Sequence, residues 1–342
     1  MDVSIDEKVR FLKTREAYAS RPPVVDVKET HMSWVFIAGE RVYKLKKPVH
    51  LPFLDFRTLA ARERNCREEV RLNRRLAPNV YLGVVPLTVG KDGQLAIGGV
   101  GDIVDWLVEM RRLPNELMLD EAILGHTIRR DLSRRLDAVA DLLVDFYRGS
   151  APADLSPTDY VEQFAREHSL NEAVLCDPRF NLDGGQVENV LARVRLGIEG
   201  RAPLKERVRE GRIVEGHGDL RPDHICLSDP PVIIDCLEFS RALRSVDPFD
   251  ELTFLTLECE MLGAGWIGEY ILRRCSDGLG ESPTPPLLDF YWTYRACLRA
   301  RMAIAHLLEP NPRTPEKWIP LARRYLQLAQ SPASMPVLRA VP

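Results

Sequence analysis

The chain has no apolar run of the roughly 18 residues that a membrane-spanning helix needs. Its first residues, MDVSIDEKVRFLK, lack the apolar core of a secretion signal. Net charge is also scarce. Against 47 Lys and Arg stand 50 Asp and Glu, a balance of −3 at pH 7 with a pI near 6.2, so no surface for nucleic acid or anionic membrane is expected. Glycine-rich phosphate loops are missing: no Gly-x-Gly-x-x-Gly precedes the first lysine-bearing strand, and no Gly-x-x-x-x-Gly-Lys-Ser/Thr occurs anywhere, which excludes a P-loop NTPase. Seven cysteines, an odd count with no paired spacing, make no disulfide framework and point to buried free thiols in a reducing cytoplasm. There are no internal repeats, heptads or low-complexity tracts.

What remains is an ordinary globular composition, 45% hydrophobic and 28% charged, in 342 residues, long enough for two lobes or two domains. The most informative segment is EGHGDLRPDHICLSDPPVIIDCLEF, residues 215–239. His217-Gly218-Asp219 lies in a polar turn, and five residues past Asp219, His224 opens the apolar strand His224–Leu227. After a Pro-containing turn a second apolar run, Val232–Ile234, delivers Asp235. Two short strands joined by a tight turn would bring Asp219, His224 and Asp235 to one end of a hairpin. An acid that can take a proton, beside an acid that can hold a cation, is what phosphoryl transfer from a nucleotide requires. His-Gly-Asp alone is usually a plain turn; the weight rests on the whole spacing.

This segment resembles the catalytic and metal loops of the aminoglycoside phosphotransferase family, kinase-fold enzymes that phosphorylate small molecules. Their pattern is His-Gly-Asp, an Asn five residues after the Asp, then an apolar strand ending in a metal-binding Asp. The resemblance implies a protein-kinase-like α+β fold, with ATP and Mg²⁺ as cofactors. It makes Asp219 the catalytic base, position 224 the second metal ligand and Asp235 the main Mg²⁺ ligand. It also makes His217 and Asp250 the supports of the catalytic loop. One departure stands out: position 224 is His, not Asn, and imidazole is a softer, bulkier ligand than an amide oxygen. His31-Met32-Ser33-Trp34, the lysine strand and Leu72-Asn73-Arg74-Arg75-Leu76-Ala77-Pro78 further resemble a bacterial branch often fused to a P-loop domain. That implies a functional partnership with a P-loop ATP-binding protein, since no such domain follows here.

The upstream parts of a kinase site are expected in order. SWVFIAGERVYKLKK, residues 33–47, reads as a hairpin turning at Ala38-Gly39-Glu40. Val42, Lys44 and Lys46 share a face because side chains alternate. Lys44, with apolar Val42 two residues before it, fits the Val-Ala-Ile-Lys strand best; Lys46 is the competitor, and Lys47 reads as a solvated edge lysine. A helix over 58–76, capped by Thr58, offers Glu68 and Glu69 beside its apolar stripe. Glu69 is assigned as partner of the nucleotide lysine, at least one of the helix glutamates being a solvated partner of Arg. Thr30 and Ser33 replace the missing Gly-rich loop as phosphate donors. Glu109, Met110 and Arg111, where a strand runs into Pro114, are the expected hinge for adenine.

The expected organisation is an N-lobe at 1–108, a hinge at 109–114 and a helical C-lobe at 115–342, with a Pro/Ser-rich tail after Gln330. In the C-lobe helices are expected at 129–148, 159–167, 184–198, 202–210, 262–275, 286–308 and 314–330, with another opened by Asp247-Pro248. The acids Glu238, Asp247, Glu251, Glu258 and Glu260 would suit a polyamine acceptor if gathered in a pocket. Two other readings stay open. One is a nucleotide-binding pseudokinase, prompted by His224 and the absent Gly-rich loop. The other is a metal-dependent hydrolase on His217, Asp219, His224 and Asp235; separately, Cys226 and Cys236 with His217 and His224 could be drawn as a zinc set, though tight ligand spacing is lacking.

Overall fold

The computed structural model describes residues 3–51, 54–125, 129–309 and 312–331. It divides into two compact units, Met1–Glu121 with His224–Leu243, and Ala122–Asp223 with Arg244–Pro342. The tail beyond Ser331 lies outside the described residues.

The first unit is built on a six-stranded antiparallel sheet. Its strands are β1 (Val25–Glu29), β2 (Ser33–Ala38), β3 (Arg41–Lys46), β4 (Tyr81–Val89), β5 (Leu95–Ile97) and β6 (Asp102–Arg111), in spatial order β1-β2-β3-β6-β4-β5. The β2–β3 hairpin closes where Ala38 pairs with Arg41, and Gly39 takes φ +65° there, a left-handed turn conformation open to glycine at no steric cost. Alternation buries Phe36, Leu45, Leu87 and Leu107 on one face.

Against that face packs α1 (Ile5–Leu12), through Val9 and Leu12. Sequence reading leaves this helix unassigned. Its start signal is nonetheless present as a capping box, Ser4 and Glu7 bonding each other's backbone N–H. The long helix α2 (Leu59–Asn73) is capped by Thr58 as expected and stops three residues before the predicted end. It covers the other face through Cys66 and Val70, which meet Tyr81 and Val108.

His224–Leu243 groups with this unit, rather than with the C-lobe as expected, because its backbone is tied there. The hairpin Ile225–Cys226/Val232–Ile233 is only two pairs long. Leu227 N–H donates to Leu117 O at 2.7 Å and Ile233 N–H to Leu76 O at 3.3 Å, and Cys226 and Val232 join the α2 core.

The second unit is mainly helical: α3 (Arg129–Gly149), α4 (Pro157–Leu175), α5 (Gly184–Glu199), α6 (Ala202–Arg209), α7 (Pro248–Met261), α8 (Gly265–Leu279), α9 (Pro285–Ala305) and α10 (Pro315–Gln330). α4 runs eight residues past its predicted end. Its Phe164 packs edge-on to Phe290 and Tyr294 of α9, at 5.3 and 4.8 Å between ring centres. Buried guanidinium–carboxylate pairs tie the helices, Arg207 to Asp247, Arg295 to Asp250 and Arg299 to Glu258.

Candidate active site

The first unit gathers a chain of charges around α2. Strand alternation turns Lys44 and Lys46 to one face of β3, and both reach Glu69, which is fully buried. Lys44 Nζ lies 2.9 Å from Glu69 Oε1 and 2.8 Å from Asp235 Oδ1. Lys46 is 1% exposed and bonds Glu69 Oε2 and Glu238 Oε1. The neighbouring Glu68 and Glu63 pair with Arg71 and Arg67 at the surface. The choice of Glu69 among the helix acids thus coincides with the one that is buried.

Electrostatics follow from this packing. Burial opposes ionisation of Glu69, yet Lys44 and Lys46 outweigh it and hold the carboxyl below its ordinary range. Burial likewise opposes charge on Lys44, but Asp235 and Glu69 raise its pKa well above the usual value. The surrounding protein would raise the Asp235 pKa, but Lys44 and then His224 hold it well below the carboxylate range. Its side chain is 46% exposed, so solvent screens those pairs.

Asp235 adopts φ +61°, the left-handed region that Asp tolerates better than most residues. Two groups hold that conformation: Tyr81 Oη of β4 accepts the Asp235 N–H at 3.1 Å, and Asn73 Oδ1 of α2 accepts the Cys236 N–H at 2.9 Å. Neither was assigned a role from sequence. With Oδ1 on Lys44, Oδ2 lies 3.7 Å from His224 Nε2. One carboxylate oxygen and one imidazole nitrogen at that spacing fit two ligands of one divalent ion. Among the described residues, no cluster of three metal-ligating groups includes His217, His224, Cys226 or Cys236. The zinc set is not assembled.

Thr30 lies in the turn between β1 and β2, and Ser33 opens β2. Their hydroxyls are 2.9 Å apart, the Ser33 N–H donates to Thr30 Oγ1 at 3.0 Å, and Ser33 is buried. The two side chains close the turn on each other. Lys47, expected in solvent, closes the same turn on Glu29 and Thr30 O at 2.5 and 2.6 Å.

The expected hinge residues lie at the end of β6. Glu109 and Met110 lie inside β6, paired with Tyr43 and Val42 on one side and with Gly83 and Tyr81 on the other. Arg111 pairs with Arg41 and donates its N–H to Val80 O at 2.8 Å. Their backbone is engaged by two strands, and the chain leaves the sheet only after Arg111.

The second unit carries the His217-Gly218-Asp219 turn. His217 is fully buried and Gly218 has φ +88°. The Asp219 N–H donates to His217 Nδ1 at 3.3 Å, and the Asp219 carboxylate, 35% exposed, lies 3.3 Å from Arg221 Nε. The loop is held by Glu251, not by Asp250. The Glu251 carboxylate accepts the N–H groups of His217, at 3.1 Å, and of Gly218, and the hydroxyl of Tyr147 at 3.0 Å. Asp250 faces the other way, in a two-bond pair with Arg295 at 2.6 Å. The helix phase decides: successive residues point about 100° apart, so only one of the two reaches the loop. A β-carbon at Gly216 would come within 2.6 Å of the Glu251 carboxylate, so glycine is required for that approach.

The acids proposed for a polyamine pocket are largely spoken for. Glu238 bonds Lys46, Asp247 bonds Arg207 and Tyr291, Glu251 holds the loop, and Glu258 bonds Arg299 and Tyr325.

A lysine strand in an antiparallel sheet, a helix glutamate bonded to it, an acid after a short hairpin and a helical unit define the kinase-like α+β fold. Solved structures share it. A choline/ethanolamine kinase family protein from Mesorhizobium loti matches with TM-score 0.55 and 15% identity over 96% of each chain. Spectinomycin phosphotransferase APH(9)-Ia, in complex with ADP and spectinomycin, matches with TM-score 0.53 and 12% identity over 96% of this chain and 98% of that one. The GDP and kanamycin complex of APH(2")-IIia matches with TM-score 0.51 and 15% identity over 95% and 98%. At these identities the likeness establishes the fold, which is that of the aminoglycoside phosphotransferases and small-molecule kinases. By sequence, the chain is similar to uncharacterized proteins of Mycobacterium tuberculosis and Mycobacterium bovis, 35% identical over 297 residues, 85% of this chain. It spans 57% of the length of those curated relatives. No protein-family model matches.

Proposed function

We propose that the chain is an ATP-dependent phosphotransferase moving the γ-phosphate of Mg·ATP to a hydroxyl group of a small molecule. The observation that carries this reading is Lys44, bonded at once to Glu69 and to Asp235. A lysine held by a helix acid beside a metal-binding acid is the nucleotide half of a kinase site.

In this reading Lys44 orients the nucleotide phosphates, and Asp235 with His224 holds Mg²⁺. The ion, when bound, neutralises charge on the β- and γ-phosphates. Asp219 accepts the proton of the acceptor hydroxyl, and Glu251 keeps its loop in place. The adenine-facing stretch is placed where the chain leaves the sheet after Arg111. Because the transition state of phosphoryl transfer is loose, the rate comes mostly from positioning and charge neutralisation. The ADP and GDP complexes of proteins with this fold support a nucleotide ligand here. The pairing of four of the five pocket acids weighs against a polycationic acceptor. The reading also keeps a cytoplasmic setting and a functional partnership with a P-loop ATP-binding protein.

The test is a screen of hydroxylated metabolites with Mg·ATP, and with GTP in parallel, following nucleotide consumption. Acceptor-dependent turnover of ATP supports the proposal. Tight ATP binding with no turnover across the screen would favour the pseudokinase reading, for which His224 in the usual Asn position is the motivating feature.

A further inference from the structure

In protein kinases the lysine–glutamate pair is made and broken by movement of the helix that carries the glutamate. Here α2 is tethered at its start, middle and end. Near its start, the Arg62 guanidinium bonds both oxygens of buried Asp105 on β6 at 2.8 and 3.0 Å, and Lys8 of α1 bonds the same carboxylate at 2.9 Å. At its end, Asn73 holds the Cys236 N–H. In its middle, Glu69 is gripped by two lysines rather than one, and the second, Lys46, is itself anchored on Glu238.

Resting on the kinase reading above, we infer that Lys46 and Glu238 form a permanent brace that keeps Glu69 in its lysine-holding position without nucleotide. Lys46 is thus a positioning residue, acting on Lys44 through Glu69, and the nucleotide half of the site stands assembled rather than switched. Three features favour a brace over a second phosphate-binding lysine. Lys46 is 1% exposed, whereas the Lys44 side chain is 14% exposed and touches Asp235. Both oxygens of Glu69 are used, one by each lysine, so neither lysine can take the other's place. Glu238 follows Asp235 by three residues, so the brace also ties α2 to the segment bearing the metal-binding acid.

Removing one member alone would strand a buried charge, so the informative variant removes both, Lys46→Met with Glu238→Gln. Its affinity for Mg²⁺ and a non-hydrolysable ATP analogue is measured by calorimetry, beside its melting temperature and its KM values. A folded double variant is expected to bind the analogue about tenfold more weakly, the size of an ordinary coupling between contacting charged residues. KM for ATP should rise while KM for the acceptor stays level, and Lys46→Arg with native Glu238 should recover most of the affinity. A folded double variant that binds as wild type does overturns the brace alone; wild-type protein that binds no nucleotide overturns the kinase reading with it. Should the double variant not fold, Glu238→Asp keeps the charge and shortens the reach by one methylene. Weaker binding by that variant, with acceptor KM level, supports the brace, and unchanged binding overturns it.

Discussion

The Glu251 carboxylate accepts the backbone N–H of His217 at 3.1 Å, two residues before Asp219. A helix in the protein interior thereby fixes the conformation of the turn that presents the proposed base. Tyr147 donates to the same carboxylate, so the support is itself held in place.

Glu251 and the adjacent Asp250 should therefore separate function from stability. Glu251→Gln keeps one acceptor oxygen but replaces the other with a donor facing an N–H. Turnover should fall by about fivefold to a hundredfold, as expected when roughly 1–3 kcal/mol of hydrogen bonding is lost at a buried site, with nucleotide affinity unchanged. Asp250→Ala strands the buried Arg295 and should cost about 3–5 kcal/mol in stability. Urea unfolding midpoints and steady-state rates measure both effects. The opposite assignment of effects would return the loop support to Asp250.

Lys44 is predicted to act on nucleotide directly. Lys44→Ala should raise KM for ATP and lower kcat together, because the phosphate contact it removes is present in the ground state and stronger in the transition state. Unaltered kinetics in a folded Lys44→Ala protein would remove it from the site.

A pH signature follows from Glu69, whose carboxyl is held below its ordinary range by the two lysines against the cost of burial. A depressed folded-state pKa contributes stability that is complete above the unfolded value and is lost as pH falls through the folded one. The stability difference between wild type and Glu69→Gln should be constant from neutrality to about pH 5 and shrink below it. Denaturant titrations across that range measure it. A difference that grows on acidification would contradict the ion-pair account.

Asp235 is predicted to hold the metal. Asp235→Ala should abolish turnover and weaken Mg·ATP more than free ATP, as calorimetry with and without Mg²⁺ would show. Two ammonium groups face three carboxylates in this cluster, so metal-free nucleotide meets an excess of negative charge until a divalent ion reverses it. Equal weakening of both ligands would move the metal elsewhere.

Much of this architecture was legible in the sequence. The β2–β3 hairpin announced itself by its Gly turn, α2 by Thr58 and its apolar stripe, and the shared face of Lys44 and Lys46 by strand parity. Ambiguity between Lys44 and Lys46 had a physical basis, since both lysines share a face and both reach Glu69. Other features were hidden for stated reasons. Asp250 and Glu251 are adjacent acids on one helix turn, and only the helix phase tells which meets the loop. Glu109 to Arg111 read as a strand end, but strand pairing on both sides is a long-range property with no local signal. Thr30 and Ser33 offered hydroxyls in the right place, while their mutual hydrogen bond depends on the tightness of the turn. Tyr81 and Glu238 act across large sequence separations and carry no motif of their own, and the Leu72–Pro78 stretch gives no sign of what its Asn73 bonds.

The most direct measurement is acceptor-dependent ATP turnover by wild type and by Asp219→Asn, with nucleotide affinity measured in parallel. The substitution keeps size and one acceptor oxygen and removes the charge that takes the proton. General bases contribute about 10²–10⁴-fold. The account predicts turnover lower by at least about a hundredfold with ATP affinity within a few-fold of wild type. Wild-type turnover by a folded Asp219→Asn protein would contradict it.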